Sequence, residues 1–214
     1  MLPLNEIHLW QISLDSTRYD LSFLSKHLND EEKTRMRRFQ FQSDQEQFSI
    51  SHAALQIILK DYLENNDSQI FLQGEHGKPS LKDVPICFNL SHSHDWALIA
   101  VAQNCEVGID IEKVNEEKDV SNISRRFFSE REANFILSLP PSEQVPAFYK
   151  AWTRKEALAK AKGVALASDI GNEEVDARWS VEEIEISGYA AAIAFEGKKK
   201  IVLKNWKDFL KKKG

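Results

Sequence analysis

The chain predicts an α+β protein made of two similar halves. A long amphipathic stretch from Phe48 to Leu63 carries apolar residues at Phe48, Ala53, Leu55, Ile58 and Leu59, the spacing of a helix with one buried face. Short strand-like runs follow it around 69–73, 86–90, 96–102 and 106–112. A second helical stretch, rich in aromatics over 147–161, is again followed by strand-like runs near 181–187, 189–195 and 200–205. The hairpin-like pair at 189–205 echoes the pair at 96–112 in length and apolar character. No Pro- or Gly-rich linker separates the two series, so the halves are expected to pack closely. The expected division gives an N-terminal subdomain over 1–105 and a C-terminal one over 106–214.

Each element has a local reason. Residues 6–12 alternate enough to form a first strand, and Leu21 to Leu28 is a short helical stretch. Asn29-Asp30-Glu31-Glu32-Lys33 reads as a helix start, because Asn29 or Asp30 can cap free amides while acids in the first turn meet the positive end of the dipole. Asn65 and Asn66 end the long helix, and Gln103-Asn104 turns the chain into the 106–112 strand. After Phe127-Phe128, Ser129 stands at an N-cap with Glu132 three residues on, the spacing of a capping box.

Composition narrows the function classes. The 214 residues carry a net charge of −5, unevenly spread. From Lys198 to Lys213 there are eight lysines and one acid, Asp208, leaving 20 basic against 32 acidic residues in 1–197. So acidic a body disfavours nucleic acid, whose affinity depends on phosphate neutralisation. The lysine-rich tail, with Trp206, Phe209 and Leu210, reads as a terminal helix with one packed face; contact with an acidic partner or a membrane surface is the alternative. No apolar run is long enough to span a bilayer, and MLPLNEIHLW lacks the pattern of a signal peptide. Cys87 and Cys105 lie in or beside apolar strand-like runs and read as free thiols of a reducing compartment. A cytoplasmic protein is the expectation.

Two strings carry the chemistry. In Val107-Gly108-Ile109-Asp110-Ile111-Glu112, strand alternation puts Asp110 and Glu112 on one face. In Trp152-Thr153-Arg154-Lys155-Glu156-Ala157-Leu158-Ala159-Lys160, Glu156 and Lys160 lie one helical turn apart on one side. Three carboxylates that converge beside a lysine suit Mg²⁺ held together with substrate phosphates. Each string alone also fits a solvated strand end or helix face. Gly77-Lys78-Pro79 holds a restrained lysine in a turn, and Asn89-Leu90-Ser91-His92-Ser93 places a hydroxyl and an imidazole at a strand end. Ser91 and His92 are adjacent and face opposite ways on an extended segment, which argues against a nucleophile–base pair. The spacing of His92, His94 and Asp95 fails the pattern of a histidine-bound metal hydrolase, and the eight scattered glycines make no P-loop or dinucleotide fingerprint.

Taken together and in order, G-K-P, F-N-L-S-H-S, G-I-D-I-E, F-F-S-x-x-E and W-x-x-K-E-A-x-x-K resemble the 4′-phosphopantetheinyl transferases of the surfactin-synthetase-activating (Sfp-type) class. The resemblance runs from about Lys33 to beyond Gly163. It implies two α+β subdomains in a pseudo-twofold arrangement, within a monomer that acts as an internal pseudo-dimer. It also implies transfer of 4′-phosphopantetheine from coenzyme A to a serine of an apo acyl or peptidyl carrier protein, with adenosine 3′,5′-bisphosphate released. Asp110, Glu112 and Glu156 would hold Mg²⁺, with Mn²⁺ as an alternative. Glu156 would take the serine proton, Lys160 would meet the phosphoryl oxygens or the leaving group, and Glu132 would assist as a second base or outer ligand. Lys78, Ser91, His92 and Lys155 would contact the phosphates of coenzyme A. At the position where the family often has an arginine for the 3′-phosphate, this chain has Gln47. Lys33 and Arg37 would then share that task, with weaker discrimination against 3′-dephospho-coenzyme A. The carrier, commonly acidic, would dock near Arg125, Arg126 and Arg131. Two other readings stand beside this one: a non-catalytic carrier- or nucleotide-binding module on the same scaffold, and a different Mg²⁺-dependent phosphotransfer enzyme.

Overall fold

The structure, a computed structural model, describes residues 2–63, 71–73, 78–164 and 176–213. In chain order the first half contains β1 (Glu6–Ser13), α1 (Leu21–Ser25), α2 (Asp30–Met36), α3 (Gln42–Tyr62), β2 (Phe71–Gln73), β3 (Pro79–Leu81), β4 (Ile86–Ser93) and β5 (Trp96–Gln103). Then come β6 (Val107–Lys113), α4 (Ser121–Phe127), α5 (Glu130–Ser138), α6 (Pro141–Lys162), β7 (Trp179–Glu183), β8 (Tyr189–Glu196), β9 (Lys200–Asn205) and α7 (Trp206–Lys211). The fold is α+β, as the alternation of amphipathic helices and short strand runs predicts.

Local signals in the sequence set several boundaries. Asn29 caps α2 and forms a capping box with Glu32; Ser129 does the same for α5 with Glu132. Asn104 turns the chain after β5 with φ of 50°, a left-handed conformation that asparagine tolerates better than most residues. Helix α6 begins at Pro141 rather than near 147, because Pro141 occupies the first turn and Pro146 is absorbed inside the helix. Gly163, with φ of 69°, ends α6 in a left-handed cap. Asn65, Asn66 and Gly77 lie outside the described residues.

Two sheets carry the site. One runs β4-β5-β1-β9 and the other β6-β8-β7. All neighbours are antiparallel except β1 and β9, which pair in parallel. The pairs expected as hairpins at 96–112 and 189–205 are therefore not hairpins. β6 leaves β5 to pair with β8, and β9 leaves β8 to pair with β1. Apolar alternation shows which face of a strand is buried but not which neighbour it takes. The same crossing carries β9 and α7 back to the first sheet, where Trp206 is buried in the first core and Phe209 and Leu210 pack against it. The packed-face reading of the tail holds for this helix.

Three layers of contact position the site. α3 buries Ile50, Ala54, Leu55, Ile58 and Leu59 in the core on the outer face of the first sheet. Ile7, Leu9, Leu98 and Ala100 meet Ile109, Ile111, Ile193 and Phe195 in a core shared by both sheets. α6 lies on the other face of β6 and β8, where Ala157, Leu158 and Ala161 pack with Ala192 and Ala194.

Side chains on one face of β4 stitch the two sheets together. Asn89 Oδ1 accepts from Ile109 N at 2.9 Å, Ser91 Oγ donates to Asp110 Oδ1 at 3.0 Å, and Ser93 Oγ accepts from Lys113 N at 3.1 Å. Among the described residues no helix is long and apolar enough to cross a membrane. Both cysteines are free thiols, and burial pushes each above its ordinary pKa.

Gly108 sets the approach of α6 to β6. A Cβ there would overlap Ala157 O and Ala161 N on the helix backbone, so only glycine allows this separation. Gly108→Ala is expected to cost about 3 kcal/mol of stability and to lower activity by displacing α6. Urea unfolding of the variant checks the first, and a change below about 0.5 kcal/mol would show that the helix can shift freely.

Candidate active site

Close contact at Gly108 brings the next residue on that face of β6, Asp110, against α6. Asp110 is 3% exposed. Its Oδ1 accepts from Lys160 Nζ at 2.6 Å and from Ser91 Oγ at 3.0 Å, and Lys160 Nζ also reaches Ser91 Oγ at 3.1 Å. The three residues come from β6, α6 and β4, so the triangle spans both halves. Its other oxygen, Oδ2, is buried with no hydrogen-bond partner among the described residues. A buried carboxylate oxygen left unpaired is costly, and it marks a position where a cation or donor belongs.

Glu112 and Glu156 flank this centre, each half-buried. Burial pushes the Glu112 carboxyl above its usual range, and the nearby Asp110 charge adds to the shift against the opposing charges of Lys118 and Lys160. Glu156 is raised for the same two reasons, burial and then Asp110, with Lys160 opposing. Three partly or fully buried carboxylates thus influence one another's charge, with Lys160 bonded to Asp110. Among the described residues no three acidic, histidine or cysteine groups are drawn in tightly enough to form a ready-made metal cage. The donor set nevertheless fits a hard divalent cation in kind: oxygen ligands only, one of them unpaired and two destabilised by mutual charge.

A second group of basic side chains joins β4 to α2 and α3: His92 feels the charges of Arg35 and His52 as well as that of Lys160. His92 reaches the surface at the end of β4, yet the protein packed around its ring lowers its pKa. The positive charges of His52, Lys160 and Arg35 lower it further. His52 stacks on Phe48 with ring centres 3.9 Å apart, and the Arg35 guanidinium lies 5.5 Å from the same ring centre. Glu32 Oε1 holds His52 Nδ1 at 3.1 Å and accepts from Gln56 Nε2 at 2.9 Å. Burial alone would raise the Glu32 carboxyl, but bonds from His52, Asn29 and Gln56 bring it below its usual value. Sequence reasoning missed Arg35 and His52. Their signal was the aromatic Phe48 one turn before His52, whose ring both side chains meet.

The remaining predicted site residues fall in distinct places. Lys155 is 8% exposed and pairs with Glu132 Oε2 at 3.0 Å. Glu132 also accepts from Ser129 N at 3.0 Å and from Ser129 Oγ at 2.7 Å. Burial would raise the Glu132 carboxyl, but the bonds from Ser129 and Lys155 win and lower it, so this pair clamps α5 to α6. Lys78 Nζ binds Glu106 Oε2 at 2.6 Å and the Ala161 carbonyl at 2.9 Å, at the C-terminal end of α6. Lys33 lies 3.9 Å from Asp30, Arg37 is an exposed C-cap of α2, and Gln47 is half-buried in α3. In α4, Arg125 is exposed and the Arg126 guanidinium lies 5.0 Å from the Phe127 ring centre.

Comparison with known proteins shows the family of the chain. Residues 106–206 match the model of the 4′-phosphopantetheinyl transferase superfamily, and residues 12–104 match that of the 4′-phosphopantetheinyl transferase N-terminal region. The chain is 35% identical over 188 residues to the 4′-phosphopantetheinyl transferase HetI of a Nostoc species, covering 86% of this chain and 74% of that protein. It is 31% identical over 159 residues to the 4′-phosphopantetheinyl transferase Sfp of Bacillus subtilis, covering 73% and 67%. A shorter match, 37% over 91 residues, joins it to the 4′-phosphopantetheinyl transferase AcpT of Salmonella typhimurium, covering 42% and 47%. The chain belongs to the 4′-phosphopantetheinyl transferase superfamily.

Carboxylate crowding at the site has a measurable consequence. Glu112→Gln removes a repulsive charge, so without divalent cation it is expected to raise Tm by about 2–4 °C. If Mg²⁺ occupies this cluster, the Tm gain on adding it should be smaller for the variant than for the unmodified protein. A lower Tm in cation-free buffer would count against mutual repulsion at this cluster.

Proposed function

We propose that the chain transfers 4′-phosphopantetheine from coenzyme A to a serine of an apo acyl or peptidyl carrier protein and releases adenosine 3′,5′-bisphosphate. The family membership supports the reaction class. The observation that carries the site assignment is Asp110, buried between Ser91 and Lys160 with one oxygen unpaired, beside two carboxylates with raised pKa values.

The reaction is phosphoryl transfer to an alcohol, so alignment and charge neutralisation matter more than a protein nucleophile. Asp110, Glu112 and Glu156 would hold Mg²⁺, or Mn²⁺ in its place. The ion would neutralise the pyrophosphate oxygens as negative charge builds on them. Glu156 is the assigned base: its raised pKa suits it to take the serine proton as the serine oxygen forms its bond to the β-phosphorus. The bond from that phosphorus to the bridging oxygen breaks, and negative charge collects on the nucleotide phosphate. Lys160, fixed by Asp110 and Ser91, is placed to meet that charge. His92 would offer a ring N–H to the nucleotide phosphates, with the Arg35 guanidinium adding positive charge nearby. Lys155 and Glu132 then position α5 against α6, and Lys78 anchors the end of α6. Lys33 and Arg37 remain assigned to the 3′-phosphate side.

A monomer with an internal pseudo-dimer and a cytoplasmic location complete the reading. The long helices α3 and α6, each packed on one of the two larger sheets, support the pseudo-dimer.

Two measurements test the proposal. Incubation with coenzyme A, Mg²⁺ and a panel of apo carrier proteins should add one phosphopantetheine per carrier by intact mass, and Glu156→Gln should slow this by roughly 10²–10⁴-fold. Coenzyme A binding without transfer to any carrier would instead favour a non-catalytic module. Breakdown of coenzyme A in the absence of any carrier would point to another phosphotransfer enzyme. Arg125→Glu with Arg126→Glu should raise the carrier KM several-fold, about 1 kcal/mol, and leave the coenzyme A KM unchanged. An unchanged carrier KM would refute the docking assignment on α4.

A further inference from the structure

A groove of about 770 Å³ lies where β9 and α7 meet the ends of β1 and β5. Tyr19, Trp96 and Leu210 give it an apolar lining, and Leu203 at its edge is 66% exposed. Arg18, Lys204, Lys207 and Lys211 stand around it, and none of the described residues lining it is acidic. Arg18 is already paired with Asp15 at 3.0 Å. Lys204, Lys207 and Lys211 have no ion-pair partner among the described residues. This is an apolar floor with an uncompensated positive rim, on a chain whose first 197 residues are strongly acidic.

Protection of a sheet edge explains only part of this. β9 is an edge strand, and lysines on such strands discourage pairing with other chains. Lys207 and Lys211, however, lie one turn apart on α7, off the strand. Attachment to a lipid surface fits poorly, because the groove is concave and the tail's aromatics are already used. Phe209 packs against Trp10 with ring centres 4.9 Å apart, and Trp206 is buried. An acidic protein segment with an apolar face matches both floor and rim.

The groove sits at the same end of the first sheet as the carboxylate cluster. Ser13 and Asn205, the last residues of β1 and β9, line it, and Trp96 pairs with both Ser13 and Ser93. Ser91 and His92 stand at that end of β4, three strands from β9. Three strand spacings amount to about 15 Å, a span that a domain with a radius of gyration of about 13 Å can bridge.

We infer that this groove docks an acidic, apolar-faced segment of the carrier protein while the carrier's serine is presented at the carboxylate cluster. The inference rests on the transferase reading and adds a second contact surface to it, separate from α4.

The test is the double variant Lys207→Glu/Lys211→Glu, assayed with the carrier that the unmodified protein modifies fastest. At low salt its carrier KM should rise about tenfold, with kcat and the coenzyme A KM unchanged. Its carrier KM should also depend less steeply on salt, a readout that a purely structural role would not move. Lys207→Gln/Lys211→Gln should shift KM the same way by a smaller factor and keep the unmodified Tm. An unchanged carrier KM in both variants, with the unmodified protein fully active, overturns the groove alone. Loss of binding to phosphatidylglycerol vesicles with an unchanged carrier KM also overturns it and assigns the surface to lipid. No transfer by the unmodified protein to any carrier strikes the transferase reading itself and takes this partner with it.

Discussion

The arrangement of this molecule depends on one buried carboxylate. Asp110 is held by a lysine from α6 and a serine from β4, so its position requires both halves to be in register. Burying a charge this deeply is unfavourable unless partners compensate it. Here one oxygen is compensated twice and the other not at all. The unmet half of that requirement sets the cluster apart from an ordinary internal salt bridge. Glu112 and Glu156 add to the deficit of positive charge, each pushed up by burial and by the Asp110 charge.

Packing supports this electrostatic arrangement. Gly108 lets α6 lie directly on β6, which shortens the reach from Lys160 to Asp110. Lys155 and Glu132 lock α5 to α6, and Lys78 ties down the far end of the helix through the Ala161 carbonyl. Several basic residues of the motifs therefore hold α6 in place, and Lys160 is the one that reaches the carboxylate centre. On β4, three alternate side chains replace the backbone ladder that would ordinarily join two strands.

Much of this was legible in the sequence, for reasons that can be named. Strand alternation placed Asp110 and Glu112 on one face, helical spacing placed Glu156 with Lys160, and the caps at Asn29 and Ser129 followed from single polar residues. Strand partners were not legible, since the alternation in 200–205 is the same whether the strand returns to β8 or crosses to β1. Arg35 and His52 were missed for a related reason: their meeting with His92 depends on how α2 and α3 pack over the end of β4. The clamp between Lys155 and Glu132 was hidden as well, because both residues have a plausible local role in their own helices.

The parallel pairing of β1 with β9 has a consequence for the newborn chain. β1 takes as one neighbour β9, which is made only after β2 to β8. At about 5–20 residues per second, β1 waits roughly 10–40 s with that edge open. During that interval Ile201 and Leu203 do not yet exist to cover Ile7 and Leu9. The first sheet therefore stays incomplete while β2 to β8 are made, and it closes only when β9 arrives.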